Sequence, residues 1–153
     1  MQNVINNSKE IQVLLFLLPK ILTATICGGI IGYERELKDK VAGLRTNILI
    51  CVGTALFTAC SVILSDMCKL SDPSRIISTI LTGIGFLGAG VVMRVDDKIY
   101  GLTTASFIWV ISAIGILIGM GGVLSPILIT IGLFFTIQWL EKIERKVRSK
   151  RKD

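Results

Sequence analysis

Histidine does not occur in this 153-residue chain, and proline occurs only three times. Without histidine, the side chain best suited to proton transfer near neutral pH is missing, as is the commonest metal ligand. Charge is scarce too: 18% of residues are Asp, Glu, Lys or Arg, against 52% hydrophobic. It is also absent from long stretches. No charged residue falls between Asn47 and Ser65, between Ile76 and Met93, or between Leu102 and Leu140. The first two runs have the length of one bilayer crossing and the third of two. Mean hydropathy is +0.71, more apolar surface than a single soluble core of this size can hide. The composition describes an integral membrane protein, all-α, and excludes most soluble enzymes.

Catalytic and redox motifs are missing as well. The four cysteines, Cys27, Cys51, Cys60 and Cys68, show no C-x-x-C spacing, so they signal neither zinc nor a redox pair. Three of them sit in apolar runs, where a thiol behaves as a small hydrophobe. Neither G-x-S-x-G nor a Walker-type phosphate loop occurs. No cofactor is expected, and nothing marks an enzyme or an ATP-driven pump. No cleavage signal follows the first apolar run, so that segment is expected to remain as an anchor.

What is present is a set of five candidate spans at about 11–33, 47–65, 76–93, 102–120 and 123–140. They form a membrane domain over 1–140, followed by a basic cytoplasmic tail, 141–153. The first span carries Pro19 and Lys20, and Lys20 is expected to snorkel to the interface. "GMGGVLSP" between the last two spans predicts a tight turn. Five crossings place thirteen Lys and Arg on one side: four in the first link, two in the third and seven in the tail. Lys9, Lys20, Lys69 and Arg75 fall on the other. The positive-inside rule then sets the N-terminus outside and the C-terminus in the cytoplasm. The same asymmetry accounts for the basic composition, so no nucleic-acid partner is implied.

"TGIGFLGAG", residues 82–90, contains the G-x-G-x-x-G pattern of dinucleotide sites. Such a site needs a strand before it and an acidic residue about 20 positions on. Here the glycines lie in an uncharged run and no acid follows between Lys98 and Leu140. The helical reading is better. Ile80, Ile84, Leu87 and Val91 form one face, expected toward lipid. Ser78, Thr82, Gly85 and Ala89 form the opposite face, smooth enough for another backbone to approach; Gly83 and Gly90 make a second strip. Ala24, Gly28 and Gly32 repeat the pattern in the first span, and Ala105, Ser112 and Gly119 repeat it around Trp109 in the fourth.

The polar links hold the candidate sites. "GYERELKDKVAGLRT", 32–46, crowds Glu34, Arg35, Glu36, Lys38, Asp39, Lys40 and Arg45 at the membrane edge. Glu34 and Arg45 are candidates for a charge-paired network there, against a plain positively charged loop. In "SDPSR", 71–75, Asp72 before Pro73 suits a helix start, and Arg75 projects on the small-residue face, expected toward the bundle interior. In "RVDDKIYGLTT", 94–104, Gly101 ends a turn and Thr103 or Thr104 can bond backbone at the opening of the fourth span. Asp66, Asp72, Glu34, Glu36, Asp39, Asp96 and Asp97 offer oxygen ligands for Mg²⁺, but without a metal-site spacing. The basic tail can rest on anionic lipid, although a stop-transfer role suffices.

"GGIIGYERE", "KVAGLRTN", "DPSRI", "GIGFLGAGVVMR" and "GLTTAS..W" follow one another in this order. The series, from about residue 20 to 122, resembles the MgtC/SapB family of membrane proteins. The resemblance implies a five-span bundle in the bacterial plasma membrane and a link to growth under magnesium limitation. It also implies membrane-protein partners, among them F-type ATP synthase or a magnesium transporter. Positions matching its motifs are Glu34, Arg35, Gly43, Arg45, Thr46, Asp72, Arg75, Gly85, Gly88, Gly90, Gly101 and Thr104. Some members carry a soluble C-terminal domain where this sequence has a short basic tail, and some have Asn in place of Thr103. Two readings stand: a non-enzymatic accessory factor working through helix–helix contacts, and a small oligomeric ion pathway.

Overall fold

The computed structural model describes the backbone of residues 7–67 and 72–149 and the side chains of 10–67 and 72–147. Cys68, Lys69 and Ser71, with Lys150, Arg151 and Lys152 of the expected tail, lie outside the described residues. Five helices follow in order: α1 (Asn7–Leu37), α2 (Leu44–Met67), α3 (Pro73–Gly90), α4 (Leu102–Gly119) and α5 (Leu124–Ser149). Four of them, α1, α2, α4 and α5, are long and apolar enough to cross a membrane. In α3, Ser74, Arg75, Ser78, Thr79, Thr82 and the glycines dilute the apolar content, and it is not one of the four.

Between α3 and α4 lies an element that the helical pattern does not show, an antiparallel hairpin of β1 (Met93–Val95) and β2 (Lys98–Tyr100). Its two-residue loop, Asp96–Asp97, puts Asp96 in the left-handed region at φ 52°. A short polar side chain tolerates that conformation.

Contacts at glycine fix how the helices run. A Cβ on Gly28 would meet Ile48 Cα at 2.8 Å, and one on Gly32 would meet Leu44 Cα at 2.9 Å, so α1 and α2 are antiparallel. Gly119 lies against Thr58 and Ala55, and Gly115 against Thr54 and Cys51, so α2 and α4 run parallel. Gly88 faces Ala105, setting α3 antiparallel to α4. The bundle therefore has a basic end, where α1 finishes and α4 starts, and an opposite end holding Lys20, Pro73 and Gly119.

At the centre Ala24, Cys27, Ile31, Cys51, Ala55, Ile111, Ile114 and Ile118 are each buried to 3% exposure or less. The small-residue faces of α1 and α4 are spent here: Gly28 and Ser112 are buried, while Trp109 is exposed. With so little side chain at the contact, backbones approach closely and dispersion holds the pair.

The face assignment for α3 is inverted except at Leu87, which is exposed. Ile80, Ile84 and Val91, expected toward lipid, pack inward with Ile50 of α2 and Ile108 of α4. Ser78, Thr82, Gly85 and Ala89 are exposed, and nothing lies within 4 Å of a Cβ placed on Gly83, Gly85 or Gly90. The reason lies in the neighbours. Ile50 and Ile108 present branched side chains, and the bulky face of α3 reaches them where a smooth one would leave the contact unmade. Arg75 goes outward with that face and is exposed rather than interior.

Lys20 also departs from expectation. It does not snorkel; it is 4% exposed, and its Nζ donates to the carbonyls of Gly119 at 3.0 Å and Ile118 at 3.3 Å. The Phe16 ring lies 4.3 Å from it. These carbonyls end α4, which closes through Gly121 N–H to Ile118 O at 3.0 Å and Gly122 N–H to Leu117 O at 3.1 Å. Gly121, at φ 111°, supplies the left-handed residue such an ending requires. A cation at the negative end of a helix dipole is favourable, the more so away from water. Replacing Lys20 by Met is expected to cost about 1–3 kcal/mol, because the Gly119 carbonyl loses a charged donor. The change reads as a lower unfolding midpoint in detergent and faster amide exchange at the α4–α5 turn.

Candidate functional site

The last turn of α1 carries Glu34 and Arg35 to the basic end, and Lys38 follows directly after it. Glu34 and Lys38 are one helical turn apart, the spacing at which side chains meet. Lys38 Nζ donates to Glu34 Oε1 and, across the bundle, to Glu141 Oε1 of α5. Arg35 Nη1 lies 3.7 Å from Glu34 Oε2. Its guanidinium rests 4.0 Å from the centroid of the Phe107 ring of α4, a stacking that suits a weakly hydrated planar cation. One carboxylate thus serves two cations, and three helices are joined through them. Glu34 is 4% exposed and Arg35 2%. Burial disfavours the Lys38 ammonium, but its bonds to Glu141 and Glu34 outweigh that and hold its pKa above the ordinary lysine value.

A second group shapes the α1–α2 link. Glu36 Oε2 accepts from Leu44 N–H at 2.8 Å, satisfying a donor at the opening of α2. Gly43 lies directly beneath that carboxylate, where any Cβ would collide with it. Asn47, fully buried, donates through Nδ2 to Ala42 O at 2.9 Å and Gly43 O at 2.8 Å. Asp39 takes φ 50° to reverse the chain.

Between the end of α1, the start of α4 and α5 lies a cleft of about 480 Å³. Arg35, Asp39, Lys40, Thr104, Glu141 and Arg145 contribute to its walls. Gly101, at φ 88°, lets α4 begin there; a side chain on it would strike the Val91 carbonyl. Neither Thr103 nor Thr104 caps α4. Among the described residues, Arg35 Nε and Glu34 Oε2 are buried without a hydrogen-bond partner. No cluster of acidic or cysteine side chains suited to a metal ion occurs among the described residues.

The sequence-derived candidates therefore divide. Glu34, Arg35, Gly43, Gly101 and Thr104 come together at the basic end. Arg45 and Thr46 are exposed, and Glu34 pairs with Lys38 and Arg35 in place of Arg45. Gly88 packs against α4, while Gly85 and Gly90 face outward. Asp72 and Arg75 lie at the opposite end. There Asp72 caps α3, accepting from Ser74 N–H at 2.9 Å and Ser74 Oγ at 2.7 Å. These bonds from Ser74 hold its carboxyl below the usual aspartate range. The roles of Glu141 and Phe107 have no local signal in the sequence. Lys38 has one, its i, i+4 relation to Glu34, which counts once α1 is seen to continue to Leu37.

A glycine-packed helical bundle with long apolar helices and most of its charge at one end defines a class of all-α membrane domain. Residues 21–146 match the model of the MgtC family, and the chain belongs to that family. It is 47% identical over 111 residues to a protein of Escherichia coli K12 named "Putative magnesium transporter YhiD", covering 69% of this chain and 51% of that one. It is 46% identical over 102 residues to Protein MgtC of Salmonella typhimurium, covering 66% of this chain and 42% of the relative. An uncharacterized protein of Haemophilus influenzae is 37% identical over 143 residues, covering 89% of this chain and 60% of its own length. The chain thus spans about half the length of these relatives. No solved structure matches it.

Proposed function

We propose that this chain is a non-enzymatic, multi-pass plasma-membrane factor in magnesium homeostasis. It acts through helix–helix contacts with other membrane proteins, its basic end toward the cytoplasm. The link to magnesium comes from the family and from the name of the K12 relative. The observation that carries the mode of action is the outward small-residue face of α3. Ser78, Thr82, Gly85 and Ala89 form a smooth strip that no other helix uses among the described residues, and such strips let a second helix approach in lipid. The bundle centre, filled by Ile108, Ile111, Ile114 and Ile118, supports the same reading, since a path for a hydrated ion through a single copy would need that volume. An F-type ATP synthase or a magnesium transporter is a partner of the right kind.

A second reading, an ion pathway formed between copies, draws on the same strip. Purified protein in liposomes separates the two: no Mg²⁺ flux above empty vesicles is expected, and a saturable flux would overturn the accessory role. In cells starved of Mg²⁺, a photoreactive residue at Ser78 or Thr82 is expected to capture a different membrane protein. Adducts containing only this chain would favour the ion pathway.

A further inference from the structure

We infer that the cleft at the basic end binds an amino-phosphate group of the phosphoethanolamine type, carrying an anionic phosphate and a primary ammonium a few bonds apart. The cleft's charge is balanced: Arg35, Lys40 and Arg145 supply three positive charges, and Asp39, Glu141 and Glu144 supply three negative ones. A purely anionic ligand meets three carboxylates there, and a bare cation meets three bases. A ligand bearing both charges can place each beside its opposite.

Arg35 stands in one wall of the cleft. Arg35 is 2% exposed, yet its Nε lacks a hydrogen-bond partner among the described residues. Its Glu34 contact, at 3.7 Å, exceeds hydrogen-bond length. A buried guanidinium donor left open is costly, and a phosphate oxygen is its natural acceptor. Phe107 and Lys38 hold the surrounding groups: the ring fixes the guanidinium plane, and Lys38 ties Glu141 to α1. The cleft also lies at the depth of a lipid headgroup. Lys20 in α1 and Lys38, directly after its last residue, stand 18 positions apart, about 27 Å, close to the thickness of a hydrocarbon core. The same chemistry could come from phosphatidylethanolamine or from free phosphoethanolamine.

The test uses the full chain, delipidated in detergent, with native mass spectrometry counting bound molecules. Phosphatidylethanolamine, phosphatidylglycerol and phosphatidylcholine are titrated separately, as is soluble O-phosphoethanolamine. Phosphatidylethanolamine is expected to bind about tenfold more tightly than the other two lipids, the worth of one charge-assisted hydrogen bond. Binding of soluble O-phosphoethanolamine with no retained lipid supports the site and assigns it to the free molecule. Lys40→Gln and Arg145→Gln, both at exposed positions, leave folding intact and are expected to weaken binding severalfold. Arg35→Gln should abolish it. Equal retention of the three lipids, tighter binding of phosphatidylglycerol, or unchanged binding in both exposed variants would overturn the assignment.

Discussion

Gly28→Leu is expected to yield little folded protein, with a loss of about 3 kcal/mol or more. A Cβ at this position falls 2.8 Å from Ile48 Cα and 2.9 Å from Asn47 O. Both are backbone atoms of α2, so no side-chain rotation relieves the clash, and the two helices must separate. Overpacking a tight core usually costs about 1–3 kcal/mol; the cost is greater here because the displaced helix also carries Cys51 and Ala55, which pack against α4. Gly85→Leu is the matched control. Nothing lies within 4 Å of its would-be Cβ, so the unfolding midpoint should stay where it is. Under the proposed function, Gly85→Leu should nonetheless abolish capture of a partner at Ser78. Equal stability losses in the two variants would remove the distinction between a packed and an unused glycine face.

Glu34→Ala is the other change with a large consequence, about 3–5 kcal/mol, the range for breaking one side of a buried ion pair. Its carboxylate, 4% exposed, is shared by Lys38 and Arg35. Removing it strands the Arg35 guanidinium, 2% exposed, and leaves Lys38 with Glu141 alone. Denaturation in a mild detergent should show a markedly lower midpoint. Glu34→Ala combined with Arg35→Met should recover part of the loss, because the stranded guanidinium is removed with its partner while Lys38 keeps Glu141. Full stability in Glu34→Ala would mean that the network is solvated in the membrane and holds nothing together.

Much of this architecture is legible in the sequence because charge cannot enter hydrocarbon cheaply. The empty run at 47–65 lies within α2 and that at 102–140 covers α4, the turn after it and most of α5, and the glycine spacing of Gly28 and Gly32 marks a true helix contact. What charge does not report is rotation. Beyond Arg75 in its first turn both faces of α3 are uncharged, and in lipid an apolar face has no preference between solvent and neighbour. The inward turn of Ile84 therefore depends on Ile50 and Ile108, residues far away in the chain. The Glu34 network shows the same limit. Its link to Lys38 is local, one helical turn, whereas its link to Glu141 spans 103 positions. The hairpin at 93–100 is legible in retrospect, as two short β-prone stretches around Asp96–Asp97, but its brevity hides it behind the stronger helical pattern.

The Lys20 ammonium has a bearing on how the chain is made. Its acceptors, the carbonyls of Ile118 and Gly119, emerge from the ribosome about a hundred residues after it does. Until they arrive, the Lys20 ammonium lacks the acceptors it has in the folded bundle. The seating of α1 at this end is therefore completed only once α4 is in place.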